Sequence, residues 1–174
     1  TKEFVKGLGE YTVNIARVQA GSPVLGVIQV PASGVVYCGA KDVGAWRRRA
    51  AEPESAGVRL EAGGSPAPIT AVVSRSHPSA ETDAFLKKIN ATQVVARGSS
   101  LKMCAVAEGT ADIYPRLNPT WFWDTAAGAA IVREAGCRVT DPRGTDLLYA
   151  LGGGLKHHGF VVYAPATCNP FPRQ

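Results

Sequence analysis

The sequence predicts an α/β fold, and three observations carry that prediction. Through the opening stretch, short apolar runs alternate with polar residues and are broken by Gly, Pro and Ser, the pattern of antiparallel strands joined by turns. After Pro68 the pattern changes to strand-like and helix-like segments in alternation. Residues 124–135 then form the best-defined helix: Ala127, Ala130, Ile131 and Ala135 share one face, and Gly136 ends it.

Taken in order, Tyr11, Val13 and Ile15 alternate with Thr12, Asn14 and Ala16 in a first strand. Gly21-Ser22-Pro23 turns into a second strand over 24–30, and Pro31-Ala32-Ser33-Gly34 into a third over 35–38. Such a meander needs a covering layer, for which helices outside this chain are one source. Residues 47–66 are polar and rich in Ala, Glu and Gly; Arg47, Arg48 and Arg49 read as a solvated surface turn, and Val58-Arg59-Leu60 as a short edge strand. The expected division is an antiparallel sheet over 1–46, a seam over 47–66 and a C-terminal α/β domain over 67–174. Within the last part, strands are expected at 69–73, 94–96, 112–114, 137–139 and 160–163. Helices are expected at 80–89, with Ser79 as its cap, and at 100–108. Residues 152–158, glycine-rich with no helix following, read as a flexible turn.

Composition narrows the class. A chain of 174 residues with 45% hydrophobic and 19% charged residues is globular and not disordered. No apolar run is long enough to span a bilayer, and no signal-peptide pattern opens the chain. The net charge of +5 favours an anionic partner. The basic run at 47–49 lacks aromatic interleaving or a nucleic-acid motif, so a small polyanion is expected in place of DNA or RNA. Four scattered cysteines (Cys38, Cys104, Cys137, Cys168) show neither zinc spacing nor a disulfide framework, which points to the cytoplasm.

Four segments carry candidate chemistry. Ser74-Arg75-Ser76-His77 follows a buried strand, where open α/β sheets bind ligands, although Pro78 also suits a plain polar turn. Gly98-Ser99-Ser100-Leu101-Lys102 opens a helix with backbone N–H groups and a lysine; a simple serine cap is the alternative. Tyr114-Pro115-Arg116 offers a ring and a guanidinium for a base or phosphate, or an arginine that pairs with a surface carboxylate. Asp124, in Trp123-Asp124-Thr125-Ala126-Ala127-Gly128, either caps its helix or turns outward to hold a cation. Together they suggest a phosphorylated small molecule beside a hard metal such as Mg²⁺, which takes one or two carboxylates plus phosphate oxygens. Vicinal His157 and His158 make a poor metal pair.

The run at 123–128 resembles the second metal-binding motif of the inositol monophosphatase superfamily. Thr1-Lys2-Glu3-Phe4 resembles the end of its first motif, Asp-Pro-(Leu or Ile)-Asp-Gly-Thr, continued as in the 3′(2′),5′-bisphosphate nucleotidase branch. Residues 74–77, 98–102, 106–109 and 114–116 also suit that branch. The resemblance implies a layered α/β sandwich of the inositol monophosphatase and sugar phosphatase type, with residues 1–46 as the remainder of its N-terminal sheet and the preceding helices and strands missing. It implies a Mg²⁺-dependent phosphatase that removes the 3′-phosphate of 3′-phosphoadenosine 5′-phosphate, giving AMP in sulfur assimilation. By position, Thr1 matches the threonine that orients the attacking water, Asp124 matches a metal ligand, and Ser74, His77, Gly98 and Lys102 match nucleotide-binding positions. Arg116 is a further candidate for the second phosphate. The first motif's aspartates and an upstream metal-binding glutamate would precede Thr1, so the chain alone is expected to be inactive, with a missing N-terminal half as its partner. Three other functions compete: an inositol monophosphatase-like enzyme, a non-catalytic nucleotide-binding remnant, and an N-terminal-threonine hydrolase acting through Thr1.

Overall fold

Strand alternation sorts the first sheet into one face that is packed and one that is not. The computed structural model describes residues 2–5, 7–63, 68–75 and 79–171. A short helix α1 (Lys2–Val5) leads into β1 (Val13–Gln19), β2 (Ser22–Val30), β3 (Val35–Ala40), β4 (Gly44–Arg49) and β5 (Val58–Arg59), a five-stranded antiparallel meander. The first turn lies at Ala20 and Gly21, earlier than expected. Both residues have positive φ, 48° and 74°, as a two-residue hairpin loop requires, so Ser22 and Pro23 already belong to β2. Arg47, Arg48 and Arg49 do not form a surface turn. They end β4, opposite Tyr37, Val36 and Val35, and the sheet continues to Arg59. Like charges in succession hid the strand's period of two.

The rest of the chain comprises β6 (Thr70–Ser74), α2 (Ala80–Lys88), β7 (Gln93–Arg97), α3 (Leu101–Ala107), β8 (Ile113–Arg116), β9 (Thr120–Trp121), α4 (Phe122–Glu134), β10 (Arg138–Thr140), β11 (Lys156–His157) and β12 (Phe160–Tyr163). The second sheet has the order β10-β12-β8-β6-β7, with β6 parallel to both β7 and β8. Ser79 caps α2 as expected, its Oγ accepting the Thr82 N–H. The expected flexible turn at 152–158 instead contains β11, paired with β9; two residues are too few for periodicity to reveal. No helix among the described residues is long and apolar enough to cross a membrane. The four cysteines are free, three of them buried.

Helices α3 and α4 lie between the sheets. Ile28, Val30 and Tyr37 from the first sheet, Met103 and Val106 from α3, Ile131 from α4, and Val72 and Phe160 from the second sheet form one core. Helix α2 covers the opposite face of the second sheet through Leu86, packed in a smaller cluster with Ala71, Ile113 and Val161. On the first sheet, Val13, Ile15 and Leu25 face away from α4 and remain exposed, Ile15 by 63%. The covering layer that the alternation called for is not supplied by the described residues.

Helix α4 meets the first sheet at two glycines. A Cβ on Gly26 would overlap the Ala127 carbonyl, and one on Gly39 would lie 2.8 Å from Ile131 Cα. At Gly128 the obstacle is the flexible side chain of Met103. Gly26→Ala is therefore expected to cost about 3 kcal/mol through a forced backbone shift. Gly128→Ala is expected to cost less than about 1 kcal/mol, because alanine's helix propensity offsets the displacement of Met103. Urea unfolding of both variants checks this order.

Candidate functional site

Because β6, β7 and β8 are parallel neighbours, their carboxyl ends lie on one edge. Ser74 sits opposite Arg97, which Gly98 follows, and Arg116 ends β8. Ligands of open α/β sheets bind outside such an edge. Ser74 and Arg116 line one cavity of about 140 Å³ together with Tyr114 and Asn118. Arg116 donates from Nη2 to the Pro119 carbonyl at 3.4 Å, and its buried Nε has no partner. Among the described residues no carboxylate pairs with it, so the surface ion pair offered as its alternative is not what forms. Burial pushes the Tyr114 phenol up to about 12, with Arg116 pulling it down and Asp124 pushing it up. Tyr114 thus lies within electrostatic reach of both groups and stays protonated at neutral pH.

The 98–102 segment differs from expectation. The Gly98 N–H is not free: it donates to Glu10 Oε2 at 2.7 Å. Ser100 makes no cap bond to α3. Its hydroxyl donates to Asn14 Oδ1 and contacts Thr12 Oγ1, each at 2.8 Å, while Thr12 also meets Ser99 Oγ at 2.6 Å. Lys102 is 3% exposed, donating to the carbonyls of Ser99 (2.7 Å) and Arg97 (3.4 Å), with its ammonium 5.3 Å from the Tyr114 ring centre. Glu10 and Arg75 form an ion pair at 2.9 Å. Sequence reasoning passed over Glu10, Thr12 and Asn14 as ordinary polar positions. Their spacing of two, which puts three hydrogen-bonding side chains on one face of an extended segment, was the available signal.

Asp124 does not cap its helix. Helix α4 begins at Phe122, whose ring is drawn inward against Tyr149 and His157, so Asp124 falls in the first turn and Trp121 takes the cap position without a side-chain bond. The Asp124 carboxylate is exposed and, among the described residues, accepts one side-chain hydrogen bond, from Thr120 Oγ1 at 3.5 Å, leaving acceptor capacity at the positive end of the helix. That suits one edge of a Mg²⁺ site, which takes hard oxygen donors. No group of three His, Cys, Asp or Glu that could hold a metal occurs among the described residues. Thr1 and His77 lie outside the described residues.

Beside Asp124 opens an apolar groove of about 670 Å³ between β1 and α4, lined by Val18, Trp123, Ala127, Leu148 and Leu155. Trp121 and Trp123 stack at 4.6 Å, and the Lys156 ammonium sits 4.0 Å above the Trp121 ring. The alternation at 120–123 is too short to have revealed this pair.

Residues 1–165 match the model of the inositol monophosphatase family. The chain is 44% identical over 163 residues to the 3′(2′),5′-bisphosphate nucleotidase CysQ of Escherichia coli K12, covering 93% of this chain and 63% of that protein. It therefore spans a little under two thirds of that relative's length. The crystal structure of CysQ from Bacteroides thetaiotaomicron superposes with a TM-score of 0.85 at 36% identity, over 94% of this chain and 66% of that one. SuhB of Mycobacterium tuberculosis follows at TM-score 0.68 and 29% identity, over 94% and 63%.

His157 supplies a pH test of the packing beside α4. Its ring lies 4.4 Å from Phe122 and 4.7 Å from Tyr149, its Nε2 is buried without a partner, and burial lowers its pKa from 6.5 to about 4. The folded state thus refuses a proton that the unfolded chain accepts. The resulting stability is fully present above about pH 6.5 and is lost as pH falls toward 4, by about 2 kcal/mol between pH 7 and 5. His157→Phe is expected to remove that part of the acid slope in urea titrations, while His158→Gln, at an exposed position, leaves it in place.

Proposed function

The chain belongs to the inositol monophosphatase family, and from that premise we propose that it forms the larger part of a Mg²⁺-dependent 3′(2′),5′-bisphosphate nucleotidase. The substrate is 3′-phosphoadenosine 5′-phosphate and the products are AMP and phosphate. One observation carries this reading: three parallel strands end together, bringing Ser74, Gly98 and Arg116 to one edge, with Tyr114 within electrostatic reach of both Arg116 and Asp124. The 44% identity to a relative named for that activity supports the same substrate class.

In this reading Arg116 meets a phosphate through its guanidinium, and its unpartnered Nε is a donor still to be used. Ser74 and His77 hold the nucleotide from the end of β6. Lys102 acts on it from beneath the 98–102 segment, and Gly98, lacking a side chain, lets the ligand approach. Asp124 supplies one carboxylate to the metal, and Thr1 orients the attacking water. Bound Mg²⁺ would polarise the phosphate and favour hydroxide at neutral pH. A single exposed carboxylate cannot hold that ion tightly, so the remaining donors come from a segment preceding Thr1. The same segment covers the exposed outer face of the first sheet and the groove between β1 and α4. The four free cysteines accord with a reducing, cytoplasmic setting.

Phosphate release from 3′-phosphoadenosine 5′-phosphate and from inositol monophosphate, with and without Mg²⁺, tests this reading. The purified 174-residue chain is expected to be inactive; adding the upstream segment, in cis or in trans, restores Mg²⁺-dependent turnover of the nucleotide in preference to inositol monophosphate. In the restored enzyme Asp124→Asn is expected to lower kcat by about 10²-fold or more. Turnover by the isolated chain, or preference for inositol monophosphate, contradicts the proposal. AMP binding without metal and without turnover in the restored protein would instead mark a nucleotide-binding remnant.

A further inference from the structure

Glu10 joins three segments that are remote in sequence. Its carboxylate accepts the Gly98 N–H at 2.7 Å and faces the Arg75 guanidinium twice, Oε2 to Nη1 at 2.9 Å and Oε1 to Nη2 at 3.0 Å. Such a two-point pair fixes direction as well as distance. Only 15% of the Glu10 side chain is exposed, against 38% of Arg75, so the pair is anchored on its carboxylate side. Arg75 directly follows β6 and Gly98 directly follows β7, which places Glu10 across the mouth between neighbouring parallel strands. Thr12 and Asn14 continue the same fastening onto Ser99 and Ser100. Ser99 is held there at a φ of 50°, a conformation that a non-glycine residue adopts only when its surroundings impose it.

Two consequences follow for the ligand edge. The Arg75 guanidinium, at the surface, is engaged by the Glu10 carboxylate at two points, so fewer of its donors are left for a phosphate. The distance between the 74–75 and 98–100 segments is set by one side chain that belongs to neither. We propose that Glu10 is a positioning residue of the nucleotide subsite: without touching the ligand, it holds these two segments at the separation a bisphosphorylated nucleotide spans. The inference rests on the nucleotide reading given above.

Calorimetric titration of the protein restored with its upstream segment, Mg²⁺ being withheld to prevent turnover, with 3′-phosphoadenosine 5′-phosphate and separately with inorganic phosphate, tests it in the wild type, Glu10→Gln, Glu10→Ala, Arg75→Ala and the double alanine variant. Glutamine keeps an acceptor for the Gly98 N–H but removes the ion pair. Glu10→Ala is expected to weaken nucleotide binding about tenfold, and Glu10→Gln by a smaller factor. The double alanine variant should be no weaker than Glu10→Ala, since both changes break one pair. Inorganic phosphate, which needs only one of the two segments, should change by less than about twofold in every variant. Wild-type nucleotide affinity in Glu10→Ala overturns this inference alone. Equal weakening of both ligands, in step with a fall in Tm, also overturns it, because that is the signature of general loosening. Failure of the wild type itself to bind nucleotide removes the underlying nucleotide reading as well.

Discussion

Helix α4 lies against the first sheet at backbone distance, because Gly26 and Gly39 carry no side chain to hold it off. The rest of the site depends on that approach. It brings Ala127 and Ile131 against the strands, draws Phe122 into the core, and so places Asp124 at an exposed position in the first turn. On the other side Gly128 admits Met103, which seats α3 against α4 and with it the 98–102 segment at the start of α3. The exposed Asp124 and the edge formed by Ser74, Gly98 and Arg116, the two halves of the proposed site, are thus connected through close packing of small residues. Interiors packed to this density transmit a displacement instead of absorbing it.

The same contact explains which parts of the fold were legible in the sequence. The small-residue face of α4 was readable because burial imposes a regular pattern, and β2 and β3 were readable as apolar runs set off by turn residues. The boundary of α4 was not, since Phe122 belongs to the helix through its contacts with Tyr149 and His157, residues from another part of the chain. β9 and β11 escaped notice for a similar reason: each has two residues, and only their pairing defines them. At the site, Ser74, Gly98, Arg116 and Asp124 could be proposed from residue type and position after a strand. Glu10 could not, because its role comes from meeting Arg75 and Gly98 across 65 and 88 residues of sequence.

The electrostatics of the edge impose opposite demands on neighbouring residues. A phosphate ligand calls for donors and positive charge, whereas a divalent cation calls for unpaired carboxylate oxygens. Tyr114 lies close to both kinds of group: its ring is 5.3 Å from the Lys102 ammonium, and Arg116 and Asp124 act on its phenol in opposite directions. Burial keeps its phenol neutral, so it adds no charge of its own. Arg116 and Asp124 do not pair with each other, and each therefore retains bonding capacity toward a ligand. Had they formed a salt bridge, binding of phosphate and cation would first have to break it. Arg75, the other guanidinium of this edge, differs from Arg116 in being engaged at two points by the Glu10 carboxylate. Under the proposed reading the anion therefore goes to Arg116, whose Nε has no partner among the described residues, and Asp124 is left for the cation.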